Sequence, residues 1–133
     1  MADLRPLRGA LLDLHRELLR AQRIEAERFG GRMSASETLQ AATEDLRFSW
    51  LRTVSELIAE LDEFLAAPED DPPEPGTAEA LAGRTRQLFA PPDAGTAFGA
   101  RYLRALQDWP DVVLAHRHVT AALERLPGGD APS

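Results

Sequence analysis

The sequence predicts an all-α protein, an up-and-down bundle of five to six helices forming one domain over residues 1–133. Three observations carry that expectation. Leucines recur at helical spacing near the start, clusters of glycine and proline cut the remainder into segments of helical length, and no stretch reads as a strand. A chain of 133 residues is one domain in size, long enough to bury a core without disulfides or a structural metal.

The first helix is expected from Asp3 or Arg5 to Phe29. Leu4, Leu7, Leu11, Leu14, Leu18 and Phe29 fall on one side of it, and Leu12 and Leu19 widen the stripe. The glycine pair at 30–31 stops it, because glycine takes a left-handed C-cap without strain. The stretch "SASETLQAAT" (34–43) opens a short second helix that Ser34 or Ser36 can cap, Ser34 having Glu37 at capping-box spacing. A turn around Glu44 and Asp45 leads into "RFSWLRTVSELIAELDEFLA" (47–66), whose stripe is Trp50, Val54, Leu57, Ile58, Leu61 and Leu65. The 3–29 and 47–66 helices are expected to be the long antiparallel pair.

Next comes the acidic, proline-rich loop "APEDDPPEPGT" (67–77), with four prolines to prevent regular structure and four carboxylates to keep it in water. It does not divide the chain into two domains, since neither half could bury its stripe alone. Thr77 is expected to cap a helix over 77–89, weakened by Gly83, and a Pro/Gly-rich turn follows at 90–96. The helix at 97–109 presents Phe98, Tyr102, Leu103, Leu106 and Trp109. Pro110 and Asp111 suit the first turn of the last helix, where Val112, Ala115, Val119, Ala122, Leu123 and Leu126 turn inward over 112–126. Residues 127–133 read as a disordered tail.

Composition removes several functions. There is no cysteine, hence no disulfide, thiolate nucleophile or sulfur-based zinc site. All 15 basic residues are arginine, so lysine-dependent chemistry is excluded. A net charge of −7 is the wrong sign for gripping nucleic acid, and the arginines of the first helix alternate with glutamates in a solvated face. No run is long and apolar enough to span a membrane, and the N-terminus lacks the basic-then-apolar order of a signal peptide. A cytoplasmic setting is therefore expected.

A few polar groups sit where apolar ones belong. His15, Gln22 and Glu25 lie on or beside the leucine stripe of the first helix. Ser55 and Asp62 flank Leu51 and Ile58, and His116 flanks Val112, Val119 and Leu123, whereas His118 points away. Tyr102 and Trp109 add polar handles to the aromatic set. One reading is structural: such groups bond to one another across helices and pin the register. Glu25 then pairs with Arg23 or Arg28, and Ser55 bonds a carbonyl one turn earlier. The other reading joins His15, Asp62 and His116 in a site between helices, where a carboxylate would orient an imidazole. The sequence favours the first, because the enzyme signatures fail: it has no Glu-x-x-His, no His-x-x-x-His and no Gly-x-Ser-x-Gly. The ligand-binding candidates are His15, Gln22, Glu25, Ser55, Asp62, Tyr102 and His116. No catalytic residue, metal ligand or cofactor is assigned.

The stretches "LDLHRELL" (12–19), "RFSWLRTVSELIAELDE" (47–63) and "YLRALQDWPDVVLAH" (102–116) together resemble a family of short all-helical bacterial proteins of unknown function. The matching positions are Leu14, His15, Phe48, Trp50, Leu51, Ser55, Asp62, Asp111 and His116. The resemblance implies a compact helical fold and a bacterial cytoplasmic setting, and no activity. The expected function is a non-enzymatic interaction or accessory protein that self-associates as a homodimer through surplus apolar residues (Leu12, Leu19, Val113 and Leu114). A further protein partner is allowed for, with neither nucleic acid nor membrane involved. The alternative is a small-molecule or metal-binding domain built on His15, Asp62 and His116. A weaker one is docking of the acidic 69–74 loop on a basic partner.

Overall fold

A computed structural model of the chain describes residues 3–30, 34–37 and 46–127, and among these the fold is all-α. The helices are α1 (Arg5–Gly30), α2 (Leu46–Ser49), α3 (Arg52–Leu65), α4 (Thr77–Phe89), α5 (Ala97–Asp108) and α6 (Pro110–Glu124). Residues 35–37 are also helical, and the capping box before them is made. Ser34 Oγ accepts from the Glu37 amide at 3.1 Å, and Glu37 Oε1 accepts from the Ser34 amide at 3.4 Å. The rest of the expected second helix, the turn at Glu44 and Asp45, and the tail beyond Pro127 lie outside the described residues.

Helix α1 is the spine. Its leucine stripe is buried as the periodicity demands, with Leu4, Leu7, Leu11, Leu14 and Leu18 all at 1% exposure or less. Each contributes about 1.5–3 kcal/mol by leaving water. The most extensive partner of α1 is α6, ahead of α3. The expected long pair with the 47–66 segment is thus the second interface of α1. That segment is broken by a turn at Trp50 and Leu51, which shortens its continuous helix to Arg52–Leu65. Both partners run antiparallel to α1. Arg20, in the second half of α1, pairs with Asp111 at the start of α6, while Arg8 near the start of α1 pairs with Asp62 near the end of α3.

The second half folds back on this frame. Thr77 does not cap α4: it is the first helical residue, and Gly76 holds the preceding position at φ 88°, where only glycine is unstrained. The Thr77 hydroxyl instead donates to the Glu74 carbonyl at 2.6 Å. Thr96 caps α5, accepting from the Gly99 amide at 2.9 Å. The capping turn lies so close that a Cβ on Gly99 would stand 1.8 Å from the Asp93 carbonyl oxygen. Trp109 alone joins α5 to α6, in extended backbone (φ −130°, ψ 101°), and Pro110 opens α6 as expected. The predicted inward residues of α6, from Val112 to Leu126, are all buried. Of the four residues expected to form an apolar surface patch, only Leu114 is exposed, at 55%; Leu12, Leu19 and Val113 are half-buried.

Candidate functional site

The seam between α1 and the 48–65 segment accounts for one polar group in the leucine stripe, Gln22, and leaves His15 without a partner among the described residues. Arg8, His15 and Gln22 recur every seven residues along α1, so they share one side of it. At one end Arg8 Nε donates to Asp62 Oδ1 at 2.7 Å. At the other, buried Gln22 accepts from Trp50 Nε1 at 3.2 Å. His15 lies midway, which by this antiparallel register is the level of Ser55 to Leu57. No bond crosses there. Ser55 is exposed and turns its hydroxyl back to the Arg52 carbonyl at 3.1 Å, the local bond its position suggested. His15 is half-buried, makes no hydrogen bond among the described residues, and has its pKa lowered by that burial.

His116 belongs to a different neighbourhood. Its Nδ1 lies 2.7 Å from the hydroxyl of Tyr102, which is wholly buried. Burial raises the phenol pKa far above its ordinary value and lowers that of the imidazole. Both rings are therefore neutral, and if the buried hydroxyl is to use its proton it donates to Nδ1, which puts the imidazole's own proton on Nε2. Tyr102 also stacks on Phe98 with centroids 5.6 Å apart and meets Phe89 edge-on at 5.0 Å, while Trp50 closes the cluster against Phe98 at 5.8 Å. Tyr102 thus spends its one polar handle on His116, inside an apolar wedge between α4, α5 and α6.

The three residues proposed to share a site are not joined. Asp62 is committed to Arg8, His116 to Tyr102, and no hydrogen bond or ion pair links either of them to His15. Among the described residues no cluster of three His, Asp or Glu side chains is arranged to hold a metal ion.

What the structure does open is a cleft of about 250 Å³ between the second half of α1 and α5. Leu18, Ala21, Gln22, Glu25 and Ala26 form one wall, Arg101, Arg104, Ala105 and Asp108 the other, with Trp50 and Trp109 completing the lining. Two of the sequence candidates, Gln22 and Glu25, are therefore in it. Neither expected partner of Glu25 reaches it: Arg23 pairs with Glu27 at 3.1 Å, and Arg28 stacks over the Trp109 ring at 5.7 Å. Glu25, Arg104 and Asp108 make no hydrogen bond or ion pair among the described residues.

Sequence reasoning missed Arg8, Arg101, Arg104 and Asp108. A signal existed. Arg101, Arg104 and Asp108 fall at helical spacing along one flank of α5, next to Ala105, and they end beside a tryptophan. Comparison with protein families, with curated proteins and with solved structures finds no match for this chain.

Proposed function

We propose that the chain is a non-enzymatic binding domain, an accessory protein of the bacterial cytoplasm that holds a ligand or partner in the α1–α5 cleft without turning it over. One contrast carries this reading. Asp62, Tyr102, His116 and Ser55 make structural bonds, while Glu25, Arg104 and Asp108 in the cleft lining pair with nothing among the described residues. Among the described residues the lining holds no histidine, serine or threonine to act as nucleophile or imidazole base. Nothing in it resembles an activated catalytic pair.

The test is native mass spectrometry after incubation with a bacterial metabolite extract. The expected result is a retained small molecule of unchanged mass that is lost in the Glu25→Arg variant. A new product, or no retained species at all, contradicts the reading. Self-association is a second part of the proposal, and Leu114, 55% exposed on α6, is the residue of the expected patch through which it is tested. Sedimentation equilibrium is expected to show a two-fold dimer that Leu114→Glu converts to monomer; a monomeric native chain removes this part.

A further inference from the structure

We infer that the α1–α5 cleft selects small zwitterions with a flat apolar body, of which an aromatic α-amino acid is the simplest. The inference rests on the reading of the cleft as a binding site and adds the chemistry of what it takes. Charge is the first support. Arg104 and Asp108 stand four residues apart on α5, the spacing at which helical ion pairs form, yet they make none. Glu25, on the facing wall, is unpaired as well. Opposite charges therefore border one open volume with their pairing capacity unspent.

Sign then restricts the ligand. A simple cation entering beside Glu25 and Asp108 meets Arg104, and a simple anion drawn to Arg104 meets both carboxylates. A molecule carrying both signs satisfies each without placing like charges together. Along the α5 axis Arg104 and Asp108 are about 6 Å apart, which suits two charges separated by a few bonds.

Shape supplies the apolar body. Trp50 and Trp109 both line the cleft, and both are anchored in advance, Trp50 by its bond to Gln22 and Trp109 beneath Arg28. Rings fixed before the ligand arrives cost little to order on binding. A volume near 250 Å³ is at the small end for ligand clefts, which favours a single metabolite over a peptide segment.

The chain has only these two tryptophans, so their emission, excited selectively over tyrosine, reports on the cleft. The probes are L-phenylalanine, its N-acetyl derivative (no ammonium) and its amide (no carboxylate). L-phenylalanine is expected to change the emission saturably, with each single-charge analogue binding about tenfold more weakly or worse. Arg104→Gln should weaken L-phenylalanine by a similar factor while leaving the amide unaffected, and the Glu25→Gln/Asp108→Asn double variant should do the converse for the N-acetyl derivative. Arg104 and Asp108 are exposed, and circular dichroism checks that each variant keeps the native helix content. Equal responses to all three probes, or a response to the amide alone, overturn the zwitterion inference but leave the cleft a binding site. No saturable response to any probe overturns it too, and the metabolite-extract experiment then decides separately whether the cleft binds at all.

Discussion

The two faces of α5 follow opposite rules. One carries Phe98 and Tyr102 into the core, where the single polar group, the Tyr102 hydroxyl, has a partner at 2.7 Å. The other carries Arg101, Arg104 and Asp108 along the cleft, where Arg104 and Asp108 have none among the described residues. Burial makes the difference. A phenol stripped of water costs several kcal/mol if unbonded, so the fold must supply an acceptor, while a charge beside an open cleft keeps its solvent and can stay unpaired. A residue's bonding state therefore reports whether it serves the fold or remains available for a ligand.

The comparison can be broken most forcefully at Tyr102. Tyr102→Ala empties a fully buried ring site and should cost about 3–5 kcal/mol in urea unfolding, whereas Arg104→Ala on the other face should cost less than about 0.5. Similar losses from the two would erase the distinction. Tyr102→Phe isolates the hydroxyl and should cost about 1 kcal/mol. At the start of the same helix, Gly99→Ala drives a methyl into the Asp93 carbonyl, and a loss of about 1–3 kcal/mol is expected from calorimetry.

Between about pH 7.5 and pH 5, acid should act through the two half-buried histidines. His116 and His15 have pKa values lowered by burial from an ordinary 6.5, so the unfolded chain takes up their protons first as pH falls. Their contribution to stability is complete above that value and is lost as pH drops through the lowered ones. Denaturant midpoints should therefore fall on acidification from about pH 7.5 to pH 5, and His15→Gln should flatten the slope. A slope unchanged in that variant would show that the ring is not desolvated as described.

The smallest effects belong to the surface. The Arg8–Asp62 pair is partly exposed on both sides, and Arg8→Ala should cost less than about 1 kcal/mol, falling further in salt. Gly83→Ala, in the middle of α4 with open space where its Cβ would go, should stabilise by about 0.5–1 kcal/mol. A loss at Gly83 would mean that the helix uses that glycine for packing.

Much of the fold was legible because burial follows local periodicity. The leucines of α1, the inward set of α6 and the Ser34–Glu37 capping box are all as their spacing implies. The polar partners were not legible, since a partner is chosen by register between distant segments. Asp62 faces Arg8, 54 residues away, and Gln22 faces Trp50, 28 away, and neither separation leaves a mark on nearby sequence. Thr77 misled for a local reason: its hydroxyl found the Glu74 carbonyl once Gly76 had turned the chain. Gln22 and Glu25 were legible as oddities of α1, whereas the facing wall left only its helical spacing beside a tryptophan, which arginine and aspartate on any solvated helix surface also show.

The most direct test of the whole account is the unfolding free energy of a triple variant, Glu25→Gln/Arg104→Gln/Asp108→Asn, measured in urea without ligand. If these charges are held for binding, stability stays within about 0.5 kcal/mol of the native chain or rises. A loss beyond about 2 kcal/mol would show that the cleft charges hold the helices together, and the division between the two faces of α5 would be wrong.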